Sequence, residues 1–348
     1  EPLGAGWCAT VFVAFGPNAA ETRRLLADAR RQGYNTLRDQ TAASWSARLA
    51  RTRAAESLST DRAAALHDAL ATLLMAADRT HGAIVRAPVT QPPLALDWPR
   101  HGAWINLALD TAGFPETVER HLWFLAGTIR RTPAPGRPIG SLPAACYGDG
   151  TEAAPRAVLD ADAAAWFAAS VWRHGMLVGP AERTAFFESL WPDVTLCADF
   201  LARWSRGPFG EPPPTFDPAI LRDRASLESL LAFYLGIESA AHMAADIDAP
   251  LPAPWEQQQR QLQSAIQLRL ARLDTPEAWP MGLGPWLDAV LPAEHWLRKP
   301  MRLGGVSWTP LSDQTTGIPE PAPEAGLDAL DAAFTVLRLI GTDPRTGR

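Results

Sequence analysis

The spacing of apolar positions predicts a chain built almost entirely from helices. Between residues 64 and 74, apolar side chains recur at helical spacing behind a Thr60-Asp61 cap, as on one face of a helix. Similar spacing predicts a helix on either side of residues 113–115, and further helices over residues 19–33, 41–55, 159–174, 181–205, 226–245, 255–273, 286–291 and 327–340. Because the connection at 113–115 is short, we expect its two helices to be antiparallel neighbours.

Only one segment has the composition of a strand. Residues 7–15 are rich in β-branched and aromatic side chains and end at a Gly-Pro pair. A lone strand is not stable in water, so this one needs a partner that the chain does not obviously contain. The scarcity of strand signals after residue 16 predicts an all-α fold of stacked helical hairpins. The long Pro-rich loops at 132–150 and 207–218 are the expected places for function.

Composition excludes several classes of function. The net charge is -6, and the basic residues form no stripe that could follow a phosphate backbone, so we expect no nucleic acid partner. No apolar run reaches the roughly 18 residues of a membrane span, which indicates a soluble chain without a membrane partner. The 3 cysteines and 7 histidines show no metal-ligand spacing, so we predict no metal and no cofactor. The compartment stays open between the cytoplasm and export of a processed chain.

Four stretches of sequence occur in an order that is typical of one enzyme family. They are residues 5–26, the GAIVRAP and WPRHGAW segments at 82–88 and 98–104, the DGT and LDAD segments within 149–162, and the WPD to PPPTFD segment at 191–217. In this order and spacing they resemble the family 15 glycoside hydrolases, which include the glucoamylases. The likeness runs from about residue 5 to residue 247 and weakens beyond it.

This resemblance implies a particular architecture. The family has a six-hairpin α/α toroid, with the active site in a funnel at one end of its inner helices. We therefore expect residues 1–58 to be the end of a β-sandwich-type region, with one strand and a helical linker, and residues 59–348 to be the α/α barrel. The inner helices should include those beginning near His101, Leu159 and Ser226. A toroid that is incomplete at its carboxyl end would leave room for a partner chain or a homodimer that completes it.

The resemblance also shows that a catalytic residue type is missing. In the family register, the position of the general acid is occupied by Ile220, which has no proton to donate. Three carboxylates remain as candidate catalytic substitutes: Glu211 and Asp217 in the same loop, and Glu320 in a GIPEP segment that resembles the loop of the family's general base. Glu211 and Glu320 also fit an ordinary surface loop.

The predicted sugar-binding residues are Asp97, Trp98, Arg100 and His101. In the family, an aspartate at the place of His101 accepts hydrogen bonds from glucose. A neutral imidazole has one donor and one acceptor, so it cannot replace a carboxylate. Arg100 either lines the pocket or forms a structural ion pair. The indole of Trp98 offers a flat face for a sugar ring, or packs in the core.

Two functions are therefore kept open. The first is a glucoamylase-like, carbohydrate-associated domain that lacks normal glycosidase activity and binds a small sugar or oligosaccharide, or acts as a scaffold. The alternative is an active inverting α-glycosidase that uses a displaced carboxylate. The fold alone cannot decide between them.

Overall fold

The computed structural model describes most of the helical part of the chain. The described residues are 2–3, 6–7, 9–88, 95–153, 159–205, 215–217, 222–224, 227–270, 291–292, 294–298, 301–303, 306–308 and 328–341. They are mainly helical, which confirms the predicted all-α fold. The chain separates into two compact units, Glu1–Arg53 and Ala54–Arg348.

The first unit contains a short hairpin and two helices. Strand β1, Pro2–Leu3, pairs antiparallel with β2, Gly6–Trp7. Helix α1 spans Ala19–Gln32, and α2 spans Tyr34–Leu49. Gly33 ends α1 with a φ of 78°, a conformation that glycine adopts without steric cost. The structure thus has two helices before the second unit, where the fold prediction named one linker helix.

The strand predicted over residues 7–15 is absent over its described residues 9–15. Residues 9–16 have no regular secondary structure, and Val11, Val13 and Phe15 are 82%, 70% and 87% exposed. No described strand pairs with this segment, so its backbone has no ladder of hydrogen bonds to join. High β-propensity alone does not make a strand without such a partner.

The described residues of the second unit form helices and two small hairpins. Its helices are α3 Thr60–Ala76, α4 Pro99–Ala112, α5 Pro115–Thr128, α6 Asp162–Gly175, α7 Pro180–Trp204, α8 Leu227–Asp246, α9 Ala253–Leu270 and α10 Ala329–Ile340. Strand β3 Thr215–Asp217 pairs with β4 Arg222–Arg224, and β5 Met301–Leu303 pairs with β6 Val306–Trp308. The helix predicted at 286–291 falls outside the described residues, except for Leu291. None of the described helices is long and apolar enough to cross a bilayer.

Helices α4, α6 and α8 form the interior of this unit. Helix α6 packs between α4 and α8, while α5, α7 and α9 pack against them from outside, and α10 packs on α3 and α4. Every residue of α4 is buried, and so is every residue of α6 except Arg173. In α8 the continuous stretch from Ser229 to Ile237 is buried as well. Burial on all sides identifies an inner helix, so these three segments agree with the predicted inner helices. Gly236 of α8 allows close packing, since a Cβ there would lie 2.7 Å from Cα of Ala165.

Candidate functional site

The first turns of the three inner helices meet at one arginine. Arg100 lies in the first turn of α4, which Pro99 opens directly after Trp98. Its guanidinium contacts Asp162 at the start of α6, and Asp162 in turn contacts Ser229 in the first turn of α8. We call Arg100, Asp160, Asp162, Glu228 and Ser229 the Arg100 cluster.

Arg100 forms the buried ion pair that was one of its two predicted roles. Its Nε and Nη2 donate to the two carboxylate oxygens of Asp160 at 3.0 and 2.9 Å, which is the bidentate geometry. Nη2 also donates to Oδ2 of Asp162 at 2.6 Å. Both aspartate side chains are fully buried. Only Nη1 faces a more exposed group, Oε1 of Glu228 at 3.6 Å.

Burial and charge together shift the proton equilibria of this cluster. Burial raises the pKa of Asp162 to about 7, although Arg100 acts in the opposite direction. Burial alone would lower the pKa of Arg100, but the two aspartates raise it well above its ordinary value. Ser229 Oγ donates to Oδ2 of Asp162 at 2.9 Å, whereas Oδ1 has no hydrogen-bond partner. Oδ1 is therefore the free oxygen on which Asp162 can hold a proton near pH 7.

His101 is a neutral residue next to this cluster. It is 6% exposed, and its ring lies 5.9 Å from that of the half-buried Trp98. Burial lowers the pKa of His101 to about 3, and the cations Arg86 and Arg100 act in the same direction. Its Nδ1 has no hydrogen-bond partner. The residue therefore keeps one unused polar atom and no charge at pH 7.

Arg86 links the site to α10. Its Nε donates to Asp328 at 2.7 Å, and its backbone carbonyl accepts from Ala329 N at 2.6 Å. Asp328 also caps α10 by accepting from Leu330 N at 2.9 Å. These contacts bring the start of a fourth helix to the loop that contains Arg86.

The side chain of Asp97 is buried and binds neighbouring loop and helix residues. Its carboxylate is fully buried, and Oδ2 accepts from Ile84 N at 2.8 Å and lies 3.0 Å from Nε2 of His121. Nδ1 of His121 lies 2.7 Å from Oδ1 of Asn106. Gly102 makes room for this ring, because a Cβ there would lie 2.6 Å from His121 Cε1. His121 and Asn106 were not among the predicted site residues; the one signal in the sequence was a histidine on the apolar face of α5.

The structure describes the side chain of none of the three predicted catalytic carboxylates. Glu211 and Glu320 lie outside the described residues, as does Ile220. Asp217 ends β3 with its backbone paired to Arg222, and its side chain is not described. Among the carboxylates of the Arg100 cluster, Glu228 is the exposed one, at 33%. The described residues contain no group of three or more His, Cys, Asp or Glu side chains suited to a metal ion.

Comparisons with known proteins agree with this architecture. No protein-family model and no curated protein matches the sequence. Among solved structures, a bacterial glucoamylase complexed with acarbose has a TM-score of 0.55 at 18% identity. The match covers 73% of this chain but only 35% of the glucoamylase chain. A glycosidase variant in complex with glucose has a TM-score of 0.50 at 19% identity, covering 82% and 85%. The described part of this chain therefore has the same all-α fold as these two glycosidases.

Proposed function

We propose that this chain is a glucoamylase-like carbohydrate domain that binds a small sugar or oligosaccharide, or acts as a scaffold, without normal glycosidase activity. The proposal is supported by the shared fold and by the sugars bound to two proteins of that fold, acarbose in one and glucose in the other. The expected binding position is the start of α4, where Trp98, Arg100 and His101 come together.

One observation carries the proposal, namely the state of His101. Where the family resemblance implies an aspartate that accepts two hydroxyl hydrogen bonds, this chain has a neutral imidazole with Nδ1 unused. It can make one hydrogen bond to a sugar and cannot offer a paired carboxylate. Arg100 has most of its donors engaged by Asp160 and Asp162. Sugar binding should therefore be weak and rest largely on the indole face of Trp98.

The lack of a general acid at its expected position also argues against hydrolysis. Inverting glycosidases need two carboxyl groups, one to protonate the leaving oxygen and one to activate water. Ile220 occupies the position of the first in the family register. Asp162 has a pKa suited to an acid, but it is fully buried and bound to Arg100 and Ser229. An acid that no substrate can touch does not donate a proton to one.

The alternative is an active inverting α-glycosidase with a displaced carboxylate. One observation favours it: Glu228 is one-third exposed at the start of an inner helix, with Oε1 3.6 Å from Arg100. A second carboxylate would have to stand about 6.5 to 9.5 Å away across the sugar. Glu211, Asp217 and Glu320 are the candidates that the sequence offers for it.

Calorimetric titration with glucose and acarbose tests the proposal. We expect weak binding to the native chain and tighter glucose binding to His101→Asp, because the new carboxylate can accept two hydroxyl hydrogen bonds beside Arg86 and Arg100. Arg260→Gln, which changes an exposed arginine on α9, is the matched control and should behave like the native chain. Glucose release from maltose that disappears in Glu228→Gln would favour the alternative. If neither the native chain nor His101→Asp binds glucose or acarbose, the proposed sugar-binding role is wrong.

A further inference from the structure

A polar cleft lies outside the Arg100 cluster. It has a volume of about 320 Å³ and is formed by the last residues of α5 together with the loop that follows this helix. The cleft is lined by three arginines and one glutamate, namely Arg130, Arg131, Arg137 and Glu152. None of these four residues belongs to the predicted sugar site.

The walls of this cleft are held rigidly by backbone contacts. Arg130 N donates to Ser141 O at 2.9 Å, and Gly140 N donates to Arg130 O at 2.8 Å. Gly140 lies directly on α7 with a φ of 87°, and a Cβ there would come within 2.0 Å of Leu196 O. Only glycine fits this position, so the loop is fixed against α7 before any ligand arrives.

Positive charges outnumber negative charges in and around the cleft. Arg137 is 7% exposed; it donates to Glu152 through Nε and to Gly136 O through Nη1. Arg131 is paired with Asp193 of α7. Three guanidinium groups against the two carboxylates of Glu152 and Asp193 leave one positive charge.

Arg130 is the group with unused hydrogen-bonding capacity. Its side chain is 38% exposed, and its nearest charged partner is Oε2 of Glu152, 3.6 Å from Nη2, which is beyond hydrogen-bond distance. Its planar set of N–H donors therefore faces the cleft without a protein acceptor among the described residues. A guanidinium in this state matches an oxyanion, which can accept two parallel hydrogen bonds.

We infer that this cleft binds a tetrahedral oxyanion of the phosphate type, held by Arg130 and Arg131, with Glu152 limiting its affinity. Glu152 makes no hydrogen bond to Arg130, but its negative charge, 3.6 Å from Nη2, opposes the approach of an anion. The cleft also adjoins the loop of the sugar site: Cys146 forms backbone bridges with both Asp97 and Glu152. The anion can therefore be free phosphate or the phosphate of a sugar ester. The inference does not depend on the proposed sugar binding, because it uses different residues.

Titration calorimetry at constant ionic strength, with inorganic phosphate and with glucose 6-phosphate, tests this inference. Arg130→Gln should weaken phosphate binding about tenfold or more, since it removes charge-assisted hydrogen bonds. Glu152→Gln should instead tighten binding, because it removes the opposing negative charge. Arg260→Gln, on the exposed face of α9, is the control and should leave binding unchanged.

The relative affinities for the two ligands distinguish a site for free phosphate from a site for a sugar phosphate. Equal affinity for both ligands means a site for free anion, whereas tighter binding of glucose 6-phosphate that Arg130→Gln weakens means a site for an esterified sugar. Undetectable phosphate binding in the millimolar range, or an Arg130→Gln variant that binds like the native chain, would overturn the inference. If Glu152→Gln fails to fold by circular dichroism, Arg131→Gln provides the second variant, with weaker binding expected.

Discussion

Replacing Arg100 by methionine should destabilise the second unit strongly. The substitution removes three hydrogen bonds from the guanidinium and leaves Asp160 and Asp162 buried without their cation. Breaking a buried ion pair by removing one partner costs about 3 to 5 kcal/mol. Arg260→Met on α9 removes an exposed pair with Glu256 at 3.9 Å, so its cost should stay below about 1 kcal/mol.

Urea denaturation followed by circular dichroism measures both variants. The cost of Arg100→Met should be larger at pH 8 than at pH 5.5, because the carboxyl group of Asp162 takes up a proton at the lower pH and then needs its cation less. A loss below about 1 kcal/mol at pH 8, equal to that of Arg260→Met, would show that the buried pair does not stabilise the fold and that our reasoning about the Arg100 cluster is wrong.

Two further predictions concern pH and packing. The folded pKa of Asp162 is raised to about 7, so the folded state holds a proton that the unfolded chain releases. The free energy of unfolding, relative to Asp162→Asn, should therefore fall between about pH 4 and pH 7 by at most about 1.4 kcal/mol per pH unit, and a flat difference in urea titrations would contradict this. Gly140→Ala should lower the melting temperature by colliding with Leu196, whereas Gly127→Ala, with nothing within 4 Å of its Cβ, should raise it slightly. Equal shifts in calorimetric scans would refute this account of the loop.

The helices could be predicted because each depends on a local pattern, the spacing of apolar residues along the chain. Apolar residues at helical spacing indicated the helices, whereas the family resemblance, and not the spacing, indicated which of them are inner helices. The strand at 7–15 was predicted wrongly over residues 9–15, since propensity reports how a residue fits a sheet and not whether a neighbouring strand exists.

The site was harder to predict because its contacts join residues far apart in sequence. Arg100 is 60 residues from Asp160 in the sequence, with α5 and its flanking loops between them, and Arg86 is 242 residues from Asp328. The LDAD segment was noticed, but nothing in its sequence says that both aspartates neutralise Arg100. The unshared Nδ1 of His101 depends likewise on what surrounds it.

Proton NMR of maltose mixed with the purified chain tests the central claim most directly, because one sample reports both binding and hydrolysis. Saturation transfer from protein to maltose detects binding, and the anomeric protons of released glucose detect cleavage. We predict saturation transfer together with no more glucose than a heat-treated control produces. Steady growth of the glucose signal, with the β-anomer first as inversion requires, would contradict the account and establish an active glycosidase.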